Sequence, residues 1–217
     1  MTVRGLIHAH SWYSFDSILP PKAYLAYALH QGLDFLCLTD HNTIKGAVEL
    51  ARLNRSPSLQ VVIGAEFATD RGDVIGLFLN DEIASGSWDD VVQAIRRQGG
   101  LVVLPHPHRH HSLTEADWMS VDLVETFNAR SSKMSNQASL RDALTYGIPQ
   151  IAGADIHTMW ELLRNGTTVS MTGVGGLRQQ LLEAPRSFTT RSSSHNLNRY
   201  SRMVKSARRH LGRPGYR

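Results

Sequence analysis

The sequence predicts a single α/β domain built around a mostly parallel sheet. Short apolar runs typical of strands alternate along the chain with segments of helical periodicity, and turn residues separate them. Strands that alternate with helices favour parallel pairing, because each helix returns the chain to the edge at which the previous strand began. With 217 residues, of which 41 % are hydrophobic, the chain can bury one sizeable core, so one domain is the simplest count.

Each predicted strand is a short apolar run followed by polar residues. A further apolar run at 74–79 lies close behind the third strand, and it is either the antiparallel partner of that strand or the next strand of the sheet. The predicted strands cover residues 3–7, 35–39, 61–65, 101–104 and 148–152.

Proline, glycine and capping residues mark the predicted helix boundaries. Pro21 suits a first helical turn, and Gly32 suits the left-handed position that ends a helix. Ser87 is a predicted N-cap with an acidic residue, Asp90, in the following turn. The predicted helices cover residues 20–30, 43–54, 87–98, 135–146 and, near the C-terminus, 197–211.

The C-terminal segment 186–217 is strongly basic. It contains nine of the 23 Lys and Arg residues and none of the 19 acidic residues. Clustered cations concentrate anions, so nucleic acid is one possible partner. However, aromatic residues that could stack on bases are nearly absent from the segment. We therefore expect it to form an amphipathic helix that packs on the rest of the domain through apolar residues such as Tyr200 and Met203.

Side chains typical of metal ligands follow the predicted strands in a fixed order. Imidazole nitrogen and carboxylate oxygen together suit zinc, manganese or iron. The i, i+2 spacing of His8 and His10 places both on one face of a strand, and Asp155 and His157 share this spacing. If these residues were merely solvated surface groups, their presence at five separate strand ends would need five unrelated coincidences, so we expect a metal centre. The clustered residues are His8, His10, Asp16, Asp40, His41, Glu66, His106, Asp155 and His157.

The motifs around these residues resemble those of the PHP family, named for polymerase and histidinol phosphatase. The similarity runs from about Leu6 to Thr158. The resemblance implies a distorted (β/α)7 barrel over residues 1–185, with two or three divalent metals (Mn, Zn or Fe) and metal-dependent phosphoesterase activity. The motifs are the His-x-His pair, Thr39-Asp40-His41-Asn42, Gly64-Ala65-Glu66, Pro105-His106-Pro107 and Gly153-Ala154-Asp155-Ile156-His157.

The resemblance also implies a ligand set for each metal. The first metal would be bound by His8, His10 and Asp155. The second would be bound by His106, with Glu66 bridging it to the first. The third would be bound by Asp16, His41 and His157.

One ligand that the family pattern supplies is missing from this sequence. Family members commonly have a further His or Cys for the second metal, whereas the matching stretch 124–128 offers only Glu125 or Asn128. We expect Glu125 to be the ligand, and a carboxylate there favours harder ions such as manganese. The nearby loop histidines are expected to be exposed to solvent: His108, His110 and His111.

The implied reaction is attack on phosphorus by a hydroxide that the metals make available near neutral pH. The expected catalytic carboxylates are Glu66 and Asp155. A cation would neutralise the phosphoryl oxygens, and Arg130 is the first candidate, with Arg109 the second, because a guanidinium fork matches phosphate. Asp40 is expected to orient an imidazole instead of binding a metal.

Three other functions stay open. A nuclease would use the basic segment to guide a strand to the same metals. A non-enzymatic module would bind nucleic acid through that segment and use its metals for structure alone. An amidohydrolase on an eight-stranded barrel also begins with His-x-His, but such barrels typically need about 250 residues. That class would also be expected to carry a carboxylated lysine on a middle strand, and no Lys lies between Lys45 and Lys133.

Composition also limits location and partners. No apolar stretch is long enough to span a bilayer, and the N-terminus enters a predicted strand at once instead of forming an export signal. We therefore expect a cytoplasmic protein with no membrane partner that acts on a phosphorylated small molecule. The single cysteine, Cys37, lies in an apolar run and is expected to be a small buried hydrophobe.

Overall fold

The computed structural model describes residues 1–164 and 166–210, which form nine strands and eight helices. The strands are β1 (Thr2–Ala9), β2 (Phe35–His41), β3 (Gln60–Thr69), β4 (Gly72–Leu77), β5 (Leu101–Leu104), β6 (Leu123–Asn128), β7 (Gln150–Ile156), β8 (Thr168–Thr172) and β9 (Arg186–Thr189). The helices are α1 (Pro21–Gln31), α2 (Lys45–Leu53), α3 (Trp88–Arg97), α4 (Glu115–Met119), α5 (Lys133–Tyr146), α6 (Met159–Arg164), α7 (Leu177–Glu183) and α8 (His195–His210).

The first seven strands close into a barrel. Hydrogen-bonded neighbours follow chain order from β1 to β7, and β7 pairs in turn with β1. Most neighbours are parallel, but β4 is antiparallel to both β3 and β5. The predicted distorted seven-stranded barrel is therefore confirmed. Both interpretations of the apolar run at 74–79 are confirmed, since β4 is the antiparallel partner of β3 and also the next barrel strand.

The strands β8 and β9 extend the sheet beside the barrel. The first half of β1 pairs antiparallel with β8, from Thr2 to Gly5, whereas Ile7 further along β1 pairs with Gly153 of β7. β9 then pairs antiparallel with β8. The sequence patterns predict neither strand. β9 begins directly after residue 185, where the first predicted domain ends, so this part of the basic segment is a strand of the same sheet.

Local signals set most helix boundaries. Gly32 ends α1 in the left-handed conformation, with φ of 59°, and the Ser87 hydroxyl accepts a hydrogen bond from the backbone N–H of Asp90 at the start of α3. The helix predicted from residue 135 begins earlier, because the Ser132 hydroxyl accepts from the Ser135 N–H and caps α5 there. The predicted C-terminal helix is present as α8, and its last predicted residue, 211, lies outside the described residues. The short helices α4, α6 and α7 were not predicted.

Three clusters of buried apolar side chains hold these elements together. One cluster draws residues from every barrel strand, among them Ile7, Phe35 and Ile151, and so fills the barrel. A second packs α3 against β3, β4 and β5 through Trp88 and Ile95. The third packs α1 and α2 against β1 and β2. No helix within 1–164 and 166–210 is both long and apolar enough to cross a bilayer.

Cys37 lies in the cluster that fills the barrel and is fully buried, as predicted. Burial raises the pKa of its thiol. We expect Cys37→Ser to lower the free energy of unfolding by about 1–3 kcal/mol, because a buried hydroxyl loses its hydration. Denaturant unfolding measures this change, and Cys37→Ala as control separates the polar cost from lost volume. Equal stability of the Ser variant and the parent would contradict the expectation.

Candidate metal centre

Side chains from several barrel strands meet at one rim of the barrel. His8 lies near the end of β1, His41 ends β2, Glu66 lies in the second half of β3, and Asp155 is the penultimate residue of β7. His106 follows β5 by two residues. The structure therefore brings together the residues that follow the predicted strands. This is the carboxyl end of the parallel strands, where barrels of alternating strands and helices carry their functional groups.

The candidate ligand atoms form three groups in the part of the chain that the structure describes. Within each group the nitrogen and oxygen atoms lie within 4.8 Å of one another. The first group is His8, His10 and Asp155. The second is His8, Glu66 and His106. The third is His10, Asp16, His41 and His157. The first group agrees with a predicted ligand set, and the third adds His10 to one.

Glu66 lies between the groups. Its Oε1 is 3.0 Å from His106 Nε2, whereas its Oε2 is 3.3 Å from His10 Nε2 and 3.4 Å from His8 Nε2. The two oxygens therefore face different imidazoles, as a bridging carboxylate requires. Burial would raise the pKa of Glu66, but the neighbouring His8 and His41 outweigh it and hold this pKa well below its ordinary value.

The third group is organised by Asp16. Its Oδ2 lies 3.1 Å from His157 Nε2 and 3.4 Å from His41 Nε2. Burial alone would lower the pKa of His41, but Asp16 and Glu66 outweigh it and raise this pKa to about 9. The ring of Phe15 stacks on His41, with centroids 4.4 Å apart, and so covers one face of the group.

The donor set fits divalent cations. Two buried polar atoms of the centre, Asp16 Oδ1 and His106 Nδ1, have no hydrogen-bond partner. Burying such atoms without a partner costs free energy, and a bound cation would supply a missing partner. Imidazole nitrogens and carboxylate oxygens in this proportion suit zinc, manganese or iron. The number and identity of the metals stay predictions.

Hydrogen bonds behind the imidazoles fix which ring nitrogen faces the centre. Ser14 has one proton, and its hydroxyl lies 2.7 Å from Asp40 Oδ1, a carboxylate that can only accept. Ser14 Oγ must then accept from His10 Nδ1, 3.2 Å away, which leaves His10 Nε2 as the free lone pair. The prediction that Asp40 orients an imidazole is thus modified. Asp40 acts through Ser14, which was not among the predicted site residues.

Glu125 lies behind His8 instead of among the candidate ligand groups, contrary to the predicted position. Its Oε1 is 2.6 Å from His8 Nδ1, and its Oε2 accepts hydrogen bonds from the His106 N–H and the Asn128 amide. Both oxygens are therefore occupied on the side away from the centre. A Cβ on Gly153 would lie 1.9 Å from Glu125 Oε1, so the glycine leaves room for this carboxylate.

We expect Glu125→Gln to weaken metal binding by roughly 10–100-fold without removing it, because residues that orient a ligand contribute about this much. Competition with a chelator measures the affinity. Glu115→Gln, an exposed change on α4, is the matched control. Complete loss of one metal equivalent from the Glu125 variant would instead restore the predicted direct ligand.

The structure reverses the predicted order of preference between the two candidate arginines. Arg130 is almost buried, and its Nε donates to Glu161 Oε1 over 3.1 Å while its guanidinium also donates to Ser201 of α8. Arg130 therefore supports Glu161, which accepts a hydrogen bond from the His157 N–H. By contrast, Arg109 is about one third exposed and donates to Asp155 over 2.8 Å. Arg109, the second candidate, is the arginine that reaches the centre.

Backbone strain is concentrated at three of the candidate ligands. His8, His106 and Asp155 have φ of 68°, 32° and 48°, in a region that residues other than glycine rarely occupy. The pairing of β1 with β7 also shifts register between Ile7 and Ala9. His8 and His10 therefore converge through an irregular strand end, and not through the regular alternation that their i, i+2 spacing predicts. Such strain is typical of functional sites.

The basic helix α8 contacts the loop that carries Asp16. Arg208 donates to the carbonyl oxygens of Trp12 and Ser14, and Lys205 lies 4.5 Å from the centre of the Phe15 ring. The predicted packing through apolar side chains is wrong for two of its residues, because Tyr200 is 42 % and Met203 68 % exposed. Among residues 199–208 of α8, the buried and half-buried positions are Ser201, Val204 and Arg208, so Val204 is the one apolar residue of the predicted stripe that is partly covered there.

The loop histidines take no part in the three groups. His108 is partly exposed and pairs with Asp142, and the ring of His111 is hydrogen-bonded to the backbone oxygens of Arg109 and Asp73. Glu161 was not among the predicted site residues. Its spacing of four residues from His157, at the start of a short helix, was an available signal.

The barrel and its rim of imidazoles and carboxylates define a metal-binding α/β-barrel protein. The chain matches the family model described as PHP domain over residues 7–208. It therefore belongs to the PHP domain family, as its motifs predict. The matched range extends beyond residue 185 and includes most of α8, so the basic segment is largely part of the family domain.

Two relatives are uncharacterized proteins of Methanocaldococcus jannaschii. One is 37 % identical over 137 aligned positions, and the match covers 57 % of this chain and 80 % of the relative. The other is 30 % identical over 168 aligned positions, and the match covers 72 % of this chain and 66 % of the relative. Neither relative has an assigned function, so the family assignment rests on the match to the family model.

Solved structures share the fold at low sequence identity. A two-domain protein from Bacteroides vulgatus, described as containing a predicted PHP-like metal-dependent phosphoesterase, superposes with a TM-score of 0.72 at 16 % identity, over 94 % of this chain and 70 % of its own. PsfC from Pseudomonas syringae gives 0.64 at 17 % identity, over 97 % and 99 %. An amidohydrolase from Chromobacterium violaceum gives 0.59 at 15 % identity, over 72 % and 88 %.

Proposed function

We propose that this protein is a metal-dependent phosphoesterase that acts on a phosphorylated small molecule and uses two or three divalent ions. The observation that carries the proposal is the position of Glu66, whose two oxygens face different imidazoles at distances of 3.0–3.4 Å. Membership of the PHP domain family and the description of the Bacteroides vulgatus protein support the same class of reaction.

The residues of the centre have separable tasks in this proposal. His8, His10, Glu66, His106 and Asp155 would hold two ions, which supply Lewis acidity and a nucleophile of lowered pKa when bound. The hydrogen bonds that His8 Nδ1 donates to Glu125 and His10 Nδ1 donates to Ser14 keep the Nε2 lone pairs directed at the centre. Asp16, His41 and His157 would hold a third ion.

Arg109 is the proposed cation for the phosphoryl oxygens. Burial would lower its pKa, but Asp155 outweighs this and raises the pKa, so the side chain stays charged. Its Nη2 is 2.8 Å from Asp155 Oδ2 and its Nη1 is 3.3 Å from Asn128 Oδ1. A guanidinium held beside a metal-binding carboxylate can neutralise charge on a phosphoryl group without moving far.

A reconstitution experiment tests the proposal. The purified protein is stripped with a chelator, reloaded separately with Mn, Zn and Fe, and analysed for metal content and for phosphate release from a panel of phosphomonoesters and phosphodiesters. We expect one to three metal equivalents and turnover with at least one loaded form. Full metal loading without hydrolysis of any ester in the panel would contradict the proposed function and would favour a module with structural metals.

Hydrolysis of oligonucleotides is a second candidate, favoured by the contacts of α8 with the loop around Asp16. Lys205 lies over the ring of Phe15, which in turn stacks on His41, and Arg208 donates a hydrogen bond to the Ser14 carbonyl. Comparing turnover of oligonucleotides and mononucleotides separates the two candidates. Binding through several phosphates should also weaken with salt, by about 0.7 log units per contact per decade on single strands. Salt-independent binding would exclude this candidate.

A further inference from the structure

A small pocket adjoins the metal centre on the outer side of Glu161. It has a volume of about 170 Å³ and lies between α6, which contributes Trp160, Glu161 and Arg164, and the segment 191–194. One water occupies roughly 30 Å³ in the liquid, so the pocket has room for a phosphate-sized group. Glu161 is shared with the centre, because its Oε2 accepts a hydrogen bond from the His157 N–H over 2.9 Å.

Two arginines give the pocket a positive lining. The Arg164 guanidinium lies 3.8 Å above the centre of the Trp160 ring, and Arg191 donates to the Arg164 carbonyl over 2.9 Å. In the described part of the chain, neither arginine forms an ion pair with a carboxylate. The one acidic residue of the lining, Glu161, is already paired with Arg130 at 3.1 Å. The pocket therefore offers two cationic groups that no carboxylate there neutralises.

The segment that completes the pocket is held in place from both ends. The Arg191 N–H donates to the Thr167 hydroxyl over 3.0 Å, and the Ser193 N–H donates to the Ala129 carbonyl over 2.7 Å, directly after β6. The hydroxyl oxygen of Ser193 is buried and has no hydrogen-bond partner. A buried hydroxyl without a partner loses free energy, and a ligand oxygen would restore the missing bond.

We propose that this pocket is a binding site for an oxyanion of the phosphate type, held by Arg164, Arg191 and the Ser193 hydroxyl. Guanidinium groups and a hydroxyl donor are the partners that phosphate oxygens prefer. The ligand is separate from the phosphoryl group at the metals, although Glu161 lines the pocket and also accepts a hydrogen bond from His157 of the centre. In its functional use the inference rests on the proposed phosphoesterase activity, since the anion would be a non-reacting group of the substrate or a free anion beside it.

The first test measures anion binding without turnover. Inorganic phosphate is titrated by calorimetry into the full-length protein after chelation, so that no metal takes up phosphate. Loss of a charge-assisted hydrogen bond costs about 1.5–3 kcal/mol, so Arg191→Gln and Arg164→Gln should each raise Kd by about 10–100-fold. Ser193→Ala should have a smaller effect in the same direction.

Two control variants make this result specific. Arg97→Gln changes an exposed arginine of α3 and should leave Kd unchanged. Arg109→Gln removes the cation of the metal centre, so an effect of this variant alone would place the anion there and overturn the proposal. Absence of phosphate binding, or equal Kd values for folded Arg191→Gln, Arg164→Gln and parent protein, would overturn it too.

The second test identifies the source of the anion in the metal-loaded protein. Esters with and without a second anionic group are compared as substrates. If the anion belongs to the substrate, Arg191→Gln raises KM only for esters that carry the second group. If it is a free anion, KM is unchanged for both while phosphate affinity is still lost. Failure of all hydrolysis would contradict the proposed function, whereas the phosphate titration would still decide the pocket.

Discussion

Glu66→Gln is expected to abolish phosphoester hydrolysis while the protein stays folded. The substitution keeps the volume of the side chain but removes the charge that lies between His106 on one side and His8 and His10 on the other. Without that charge, two closely spaced cations repel each other, so at least one metal equivalent should also be lost. Turnover and metal analysis of the same preparation measure both effects, and circular dichroism reports the fold.

The matched control is Glu115→Gln, which makes the same chemical change at an exposed position of α4. It should retain the metal content and rate of the parent. Retention of full metal loading together with the parental rate in Glu66→Gln would exclude a bridging role for this carboxylate. If Glu66→Gln does not fold, its inactivity carries no information about bridging. Glu66→Asp then provides the test, since it keeps the negative charge but shortens the side chain.

Metal removal is expected to make the stability of the protein fall steeply as pH rises above neutrality. In the metal-free protein the pKa of His41 is raised to about 9 and that of His8 is also raised, in both cases because nearby carboxylates outweigh the effect of burial. A histidine with a raised pKa stabilises the fold below its unfolded pKa of about 6.5. This stabilisation is lost as pH rises towards the folded value.

The size of this loss follows from the shift of His41. A shift from 6.5 to about 9 corresponds to about 3 kcal/mol between pH 6.5 and 9. His10 does not contribute in this window, because burial and the neighbouring His157 lower its pKa, so its effect appears below pH 6.5. Bound metal replaces the protons, so the loaded protein should show little loss over the same range.

Denaturant unfolding of chelated and loaded protein at pH 6.5 and 9 measures this difference. His41→Gln should reduce the pH dependence of the chelated form, whereas His30→Gln, at an exposed position in the last turn of α1, should not. Equal stability of the chelated protein at both pH values would show that the charged imidazole cluster does not exist in the metal-free state.

The local pattern of the sequence determined most of the barrel and the order of the candidate ligands. The apolar runs locate six of the seven barrel strands, and the stretch 124–128, which was matched to the family pattern, lies in the seventh, β6. Proline, glycine and Ser87 mark helix ends because caps act within a few residues. The candidate ligands could be found because the carboxyl ends of parallel strands share one rim, so position along the chain translates directly into position in space.

Only the tertiary structure decided what stands behind those ligands. Glu125 and His8 are 117 residues apart. Whether the Glu125 carboxylate points at the metal centre or at the back of the His8 ring depends on how β6 packs against β7. The choice between Arg109 and Arg130 depends in the same way on Glu161 and Ser201. The contacts of Lys205 and Arg208 in α8 could not be predicted, because helical periodicity identifies an apolar stripe but not the partners that a basic residue finds across the fold. Local sequence encodes strands and caps, whereas side-chain partners follow from distances that only the closed barrel sets.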